Sequence, residues 1–91
     1  MCTTEPMRRQ VILAHRNGLH IRPINALVKE ASQFTAEIKV LFDGRIADAR
    51  SAMELMVLGA TFGSQLTLEA IGADSDAALA AISEILEAET G

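Results

Sequence analysis

Residues 36–55 read AEIKVLFDGRIADARSAMEL, and this stretch decides the class of fold. Every second residue over 36–42 is apolar, which is the period of a strand that buries one of its faces. Asp43 and Gly44 follow, and Asp-Gly dipeptides favour the tight turn of a β-hairpin. We therefore predict a hairpin whose second strand covers residues 45–49.

The end of the same stretch predicts a short helix directly after the hairpin. Ser51 and Glu54 have the spacing of a capping box, in which the serine accepts a hydrogen bond from the Glu54 amide and the glutamate reaches back. Gly59 predicts the end of this helix, because glycine readily adopts the left-handed conformation that terminates many helices.

The chain before this stretch predicts a strand and then a helix. Residues 9–14 contain the apolar run VILA, which is typical of a buried strand, and a polar loop, His15-Arg16-Asn17-Gly18, ends it. His15 and Arg16 are expected to be exposed. Over residues 21–33 apolar side chains recur at helical spacing, so one face of a helix should pack on the protein. The residues of that face are Ile21, Ile24, Leu27, Val28 and Ala31.

The chain after this stretch predicts a fourth strand and a last helix. Residues 64–71 alternate like a half-buried strand, and a turn over 72–74 follows. Ser75 is the expected N-cap of the last helix, and Asp76 suits the positive helix start. The residues expected on its buried face are Leu79, Ile82, Ile85 and Leu86.

The predicted order of elements is β-α-β-β-α-β-α, within a single domain that spans residues 1–91. Strands that alternate, together with helices that bury a single stripe, indicate a sheet covered on one face. We therefore expect an α+β open-faced sandwich, with a four-stranded antiparallel sheet and three helices on one face. Residues 1–7 are expected to form a flexible tail.

The composition excludes several classes of function. The net charge of −4 argues against a nucleic-acid partner. The single cysteine, Cys2, allows no internal disulfide, and no apolar stretch approaches the roughly 20 residues that cross a bilayer. A cytoplasmic location is the expectation.

The positive charges are unevenly distributed. All Lys and Arg residues lie at or before Arg50, and residues 8–22 hold four arginines and no carboxylate. One locally basic face would suit an anionic ligand or an acidic partner; a solvated charge imbalance is the alternative.

His20 is the candidate for chemistry, because it directly precedes the predicted first helix. The first amides of a helix have no intrahelical partner and form a site for anions. Pro23 suits the first turn, and Arg22 offers paired donors to phosphate oxygens. A neutral imidazole can attack phosphorus and later leave again. These residues indicate a phosphoryl acceptor, although a histidine at this position is more often a cap or a surface residue than a nucleophile.

Two segments resemble one family. Residues 17–23 (NGLHIRP) are similar to the active-site signature of HPr, the histidine-containing phosphocarrier of the bacterial phosphoenolpyruvate-dependent phosphotransferase system. Residues 50–59 (RSAMELMVLG) resemble the family's second signature, around a regulatory serine. The predicted order of elements also agrees with the HPr fold, and the resemblance covers roughly residues 8 to 88.

The resemblance implies a role for each matching residue. His20 would accept a phosphoryl group through Nδ1 from phosphorylated enzyme I and pass it to a sugar-specific enzyme IIA. Arg22 would neutralise its charge, and the start of the first helix would cradle it; the residues expected to bind phosphate are Asn17, Gly18, Ile21 and Arg22. Such a protein is a carrier with a phosphohistidine intermediate rather than a turnover enzyme. We expect a monomer that uses no cofactor. A metal site formed by Cys2, His15 and His20 is not expected either, because no further ligands cluster there.

The second signature implies regulation and docking. Ser51 matches the serine that HPr kinase/phosphorylase modifies in some bacteria, although its spacing to Glu54 already explains it as a cap. Methionines are adaptable and suit surfaces that meet several partners, but a pair at helical spacing is often part of the core. By resemblance, the residues expected to dock enzyme I and enzyme IIA are Ala52, Met53, Met56 and Phe62.

Two alternative functions remain open from the sequence. One is the nitrogen-branch phosphocarrier, which shares these motifs and passes phosphate to a regulatory chain. The other is a regulatory docking module that keeps the fold and is switched by phosphorylation of Ser51.

Overall fold

The computed structural model describes residues 6–88 and has the predicted order of elements. The strands are β1 (Met7–Ile12), β2 (Glu37–Phe42), β3 (Arg45–Asp48) and β4 (Gln65–Ile71), and the helices are α1 (Ile21–Ala31), α2 (Ala52–Leu58) and α3 (Ser75–Glu87). Of the predicted tail, residues 1–5 and with them Cys2 lie outside the described residues, while Met7 is the first residue of β1. Within residues 6–88, no helix is long and apolar enough to span a bilayer.

The four strands form one antiparallel sheet in the order β1-β4-β2-β3. The Asp43-Gly44 turn forms as predicted: both residues have positive φ, 51° and 78°, as a two-residue hairpin turn of this type requires. Val11 pairs with Leu66, and Val40 pairs with both Leu68 and Ala47, so these buried side chains point to one face of the sheet. The expected α+β open-faced sandwich is therefore confirmed.

The three helices cover this apolar face. Helix α3 packs on β1, β4 and β2, helix α1 contacts both other helices, and α2 lies beside β3. The largest fully buried side chains come from strands, helices and loops alike, which gives one continuous core: Leu13, Ile24, Leu27, Ile38, Leu55, Leu58, Leu66, Leu68, Ile82, Leu86 and Val40. No aromatic residue belongs to this set, as the composition implied.

Several boundaries differ from the prediction for physical reasons. The apolar run over 9–14 extends beyond β1. The Leu13 amide still donates to Ser64, its partner in the continued register, but the Leu13 carbonyl accepts from Gly63, and the Ala14 amide donates to Leu86 of α3. On α1, Ile21 was expected to pack but is 49% exposed, and Pro23 is buried. Ile21 therefore faces solvent where the periodic pattern indicated core, and Pro23 is buried in the same turn.

The expected cap of α3 was wrong by one residue. Asp74 is the N-cap, and its carboxylate binds the Thr35 and Ala36 amides rather than its own helix. Ser75 is the first helical residue; it is buried and its hydroxyl donates to the Gly72 carbonyl at 2.7 Å. Both residues therefore satisfy neighbouring backbone groups instead of acting as the predicted serine cap.

Candidate functional site

His20 lies at the N-cap of α1, as the sequence predicted. Its backbone is extended (φ −106°, ψ −172°), and its carbonyl accepts the first helical hydrogen bond from the Ile24 amide at 3.0 Å. The imidazole makes no capping hydrogen bond, and the ring is half-buried. Within residues 6–88, the amides of Ile21 and Arg22 have no acceptor. A histidine and two unpaired N–H groups therefore lie together at the positive end of a helix.

Arg22 and His20 line the same cleft, which has a volume of about 380 Å³. The remaining lining residues are His15, Pro23, Ala26, Ile85 and Ala88. No acidic residue lies in the first turn of α1, so no carboxylate there competes with an anion for these donors. Arg22 is exposed and makes no ion pair within residues 6–88. A cation, two amides and an imidazole at one opening can bind a phosphoryl group and accept it covalently.

The loop that carries His20, residues 15–20, is held by the loop over 60–64. The Leu19 amide donates to the Ala60 carbonyl at 3.1 Å, and the Gly63 amide donates to the Leu13 carbonyl at 2.8 Å. Gly18 has a φ of +73°, and a Cβ at this position would lie 2.9 Å from the Ala60 oxygen. Gly18 is therefore buried against the backbone of residues 60 and 61. It would contribute to a phosphate site by allowing the turn of the loop, not by contacting the phosphate. Asn17, by contrast, is exposed at the turn.

His15 is buried, although the sequence predicted an exposed residue. Its side chain is 5% exposed instead of facing solvent, and its Nε2 is 2.7 Å from the carbonyl oxygen of Ile85. The polar character of residues 15–18 predicted an exposed loop, but the end of α3 supplies a hydrogen-bond partner that a local pattern cannot reveal. Arg16 is exposed, as expected. Within residues 6–88, no three His, Cys, Asp or Glu residues cluster as metal ligands.

The four arginines of residues 8–22 do not form one basic face. Arg8 lies on the open side of the sheet and pairs with Glu69 at 2.9 Å, whereas Arg9 points the other way and contacts the Ser83 hydroxyl. Arg16 and Arg22 remain, and neither has a hydrogen-bond partner within residues 6–88. The positive charge that is available to an anion therefore lies around the loop of His20, and it is smaller than the sequence indicated.

Ser51 is the N-cap of α2 and forms half of the predicted capping box. Its hydroxyl accepts a hydrogen bond from the Glu54 amide at 3.3 Å. The reciprocal half is wrong: the Glu54 carboxylate accepts from the Asp48 amide at 2.9 Å, because the Ser51 amide already donates to the Asp48 carbonyl. Gly59 ends the helix in the left-handed conformation, as predicted.

Arg50 connects the segment before Ser51 to the far end of α1. Its guanidinium donates to the carbonyl oxygens of Ala31, Phe34 and Ala36 at 3.3, 2.5 and 3.0 Å. The Ala31 carbonyl belongs to the last turn of α1 and the other two lie just beyond it, where a cation is favourable. The sequence motif gave Arg50 no separate role, and only the contacts reveal this one.

The predicted docking residues are exposed, apart from one. Met53 is 76% and Met56 56% exposed, Phe62 is also exposed, and Ala52 is half-buried. The methionine pair is therefore not part of the core. Sequence reasoning missed Val57, which is exposed on the same helix, and the exposure of Ile21 beside His20.

Comparison with known proteins agrees with this fold. Residues 7–88 match the family model described as PTS HPr component phosphorylation site. The chain is 38% identical over 79 residues to the phosphocarrier protein HPr of Buchnera aphidicola subsp. Acyrthosiphon pisum (strain APS), which covers 87% of this chain and 93% of the relative. These matches define the class as phosphocarriers of the phosphotransferase system.

Solved structures show the same likeness. The crystal structure of a phosphocarrier protein HPr from Bacillus anthracis str. Ames matches with a TM-score of 0.85 and 33% identity, over 89% of this chain and 96% of that one. The crystal structure of HPr-C-His from Thermoanaerobacter tengcongensis matches with a TM-score of 0.86 and 31% identity, over 91% of this chain and 93% of that one. The chain belongs to the HPr family.

Proposed function

We propose that His20 accepts a phosphoryl group from phosphorylated enzyme I and passes it to an enzyme IIA in sugar uptake. In the first transfer the imidazole lone pair forms a bond to phosphorus while the bond from phosphorus to the donor breaks. In the second transfer a nucleophile of the acceptor forms a bond to phosphorus while the bond from phosphorus to the imidazole breaks. The protein acts as a carrier, because each phosphoryl group that it gains is lost again in the next step.

The observation that carries this proposal is the position of His20 at the N-cap of an eleven-residue helix, with Arg22 in the same cleft. A helix start typically stabilises an anion by about 0.3–1 kcal/mol. This free energy is enough to orient a phosphoryl group and too small to trap it. Arg22 adds a charge-assisted donor, since the guanidinium stays protonated at every physiological pH.

Enzyme I and enzyme IIA are proposed to bind at one surface, which we call the docking patch. Its residues are Ala52, Met53, Met56 and Phe62. The exposure of its two methionines supports this part of the proposal, because exposed apolar side chains beside a reactive group suit a protein partner. The loop over 60–64, which carries Phe62, is hydrogen-bonded to the segment that ends at His20. Phe62 and His20 therefore belong to adjoining parts of the surface, and α2, which carries the other three residues of the patch, contacts α1.

Ser51 is proposed as a regulatory site for HPr kinase/phosphorylase. Its hydroxyl caps α2, so phosphorylation would have to replace the bond from the Glu54 amide. The added negative charge would then lie next to the docking patch, where it would weaken binding to an acidic partner.

The test is intact-mass analysis after incubation with phosphoenolpyruvate, magnesium and a bacterial enzyme I. Wild type should gain one acid-labile phosphoryl group, and His20→Gln should gain none. Arg22→Ala should fold normally and react more slowly, by roughly tenfold to a hundredfold. Labelling of His20→Gln would contradict the assignment of the nucleophile.

The same assay separates the alternative functions. Faster exchange with a nitrogen-branch enzyme I than with the sugar-branch enzyme would assign the protein to the nitrogen branch. No gain with either enzyme would favour the regulatory docking module, for which phosphorylation of Ser51 becomes the next measurement.

A further inference from the structure

His15 ties the loop of His20 to the end of α3 through its side chain. The imidazole is buried, and its Nε2 lies 2.7 Å from the carbonyl oxygen of Ile85, which is 70 residues further along the chain. A carbonyl oxygen can only accept a hydrogen bond, so Nε2 carries the hydrogen. The contact therefore defines one ring nitrogen of His15 as the donor and fixes the plane of the ring.

The backbone of His15 determines the course of the chain toward His20. The His15 carbonyl accepts from the Gly18 amide at 2.9 Å, which closes a turn, and the Gly18 carbonyl then accepts from the His20 amide at 3.1 Å. The preceding residue, Ala14, donates its amide to Leu86 at 3.0 Å. The loop is thus attached to α3 at two neighbouring points, of which one depends on the imidazole of His15.

The Ile85 carbonyl belongs to the last turn of α3, and Ile85 lines the cleft of His20, so the partial negative charge of this carbonyl matters for an anion there. The last carbonyls of a helix carry partial negative charge and lack intrahelical partners, and the last turn of α3 contains no basic residue. His15, His20 and Ile85 all line the same cleft. A phosphoryl group on His20 would be repelled by an unpaired carbonyl oxygen in this cleft. Donation from His15 satisfies that oxygen.

We propose that His15 is a positioning residue for phosphoryl transfer at His20. It holds the turn over residues 15–18 in the form that delivers His20 to the cleft, and it neutralises the Ile85 carbonyl beside the site of reaction. This inference rests on the proposed function, in which His20 accepts the phosphoryl group.

The experiment compares wild type with two variants of His15. His15→Gln keeps an N–H donor at about the position of Nε2, and His15→Leu fills a similar volume without a donor. The measurements are the urea unfolding midpoint, kcat and KM with enzyme I, and long-range ¹H–¹⁵N NMR spectra of both imidazoles. The spectra require no phosphorylation, and in wild type they report directly which nitrogen of His15 carries the proton.

The expected result in wild type is a His15 ring that carries a hydrogen on Nε2. His15→Leu should lower kcat by roughly tenfold with little change in KM, because a displaced nucleophile reacts more slowly while the docking patch is intact. The His20 resonances should shift in His15→Leu, and His15→Gln should restore both the resonances and kcat to nearly wild-type values.

Three results would overturn the proposal. The first is a wild-type His15 with its hydrogen on Nδ1 and not on Nε2, which depends on neither variant. The second is a wild-type kcat with unshifted His20 resonances in His15→Leu, and the third is an equal loss of kcat in a folded His15→Gln. If wild type takes no phosphoryl group from any enzyme I, the proposed function fails; unshifted His20 resonances in His15→Leu would then separately show that His15 does not position His20.

Discussion

At the scale of single residues, Gly18 limits what the loop of His20 can tolerate. Its φ of +73° is strained for any L side chain, and an added Cβ would also lie 2.9 Å from the Ala60 oxygen and 3.1 Å from the Thr61 Cα. Gly63 has a similar φ of +85°, but a Cβ there would meet nothing within 4 Å. Substitution of Gly63 should therefore show the effect of backbone strain alone, whereas substitution of Gly18 should show backbone strain and a steric clash together.

We predict that Gly18→Ala destabilises the protein more than Gly63→Ala. The left-handed conformation should cost either variant about 1–2 kcal/mol. Gly18→Ala should lose roughly 1–3 kcal/mol more, because backbone atoms cannot rotate away from the new methyl group. Urea unfolding of the two variants measures the difference. Equal losses in the free energy of unfolding would show that the loop over 60–64 yields to the methyl group.

Residue roles that depend on one neighbour in sequence were predictable, and roles that depend on distant contacts were not. Gly59 as a helix terminator and Ser51 as a cap follow from local backbone geometry. The partner of His15 lies in α3, at the opposite end of the chain. No local pattern carries that information, so burial of His15 could not be read from the polar residues around it.

At the scale of elements, Asp74 fastens the start of α3 to the start of β2. Its carboxylate accepts hydrogen bonds from the Thr35 amide at 2.9 Å, the Thr35 hydroxyl at 3.1 Å and the Ala36 amide at 2.8 Å. These bonds favour the charged form and hold the pKa of Asp74 below its ordinary value of 3.8; the Thr35 amide has the largest effect, and partial desolvation opposes it.

This lowered pKa predicts a specific loss of stability in acid. Because the pKa is lower in the folded than in the unfolded state, the contribution of Asp74 is fully present above pH 3.8 and is lost as the pH falls through the folded pKa. The free energy of unfolding should therefore fall less steeply below pH 3.8 in Asp74→Asn than in wild type. Urea titrations at a series of pH values on both sides of 3.8 measure these slopes.

Asp76→Asn is the matched control for this prediction. Asp76 also lies in the first turn of α3, but it is exposed and accepts no hydrogen bond within residues 6–88. It should keep the wild-type dependence on pH. If Asp74→Asn showed the same acid slope as wild type and Asp76→Asn, the three hydrogen bonds would not be the source of acid sensitivity.

Most elements were predictable because local signals and tertiary packing agree in this chain. The Asp43-Gly44 turn fixes the pairing of β2 with β3, and alternation then assigns each side chain to a face. Agreement fails at the ends of elements. The run over 9–14 leaves the sheet at its last two residues, because the Leu13 carbonyl accepts from Gly63 instead of Ser64 and the Ala14 amide donates to Leu86. Asp74 precedes Ser75 as the N-cap of α3, and its carboxylate accepts from the amides just before β2.

At the scale of the whole molecule, the topology brings three separated segments to one end of the sheet. The loop of His20, the loop over 60–64 and the end of α3 are joined by the bonds from Leu19 to Ala60 and from Ala14 to Leu86. The sequence predicted the elements between these segments but contained no signal for their convergence. The cleft around His20 therefore had to be observed, although His20 was predicted from its motif as the candidate nucleophile.

The last prediction concerns the docking patch and depends on the proposed function. Replacing Met53 and Met56 together by serine should raise KM with enzyme I by roughly tenfold, because apolar contacts at the centre of an interface carry much of its affinity. The value of kcat should change little, since neither methionine lines the cleft of His20. Both side chains are exposed, so the free energy of unfolding should stay within about 0.5 kcal/mol of wild type.

Ile46→Ser is the control for this double variant. Ile46 is 61% exposed, like the methionines, but it lies on the open side of the sheet, which the helices leave uncovered. Its substitution removes exposed apolar surface from a region that the proposal leaves free of partners, so KM should not change. A KM that rises equally in both proteins would mean that general surface hydrophobicity, and not the docking patch, determines how enzyme I binds. A KM that rises in neither would place the docking surface elsewhere, with Ile21 and Val57 the next exposed apolar side chains to replace, because they lie on the same two helices as His20 and the methionines.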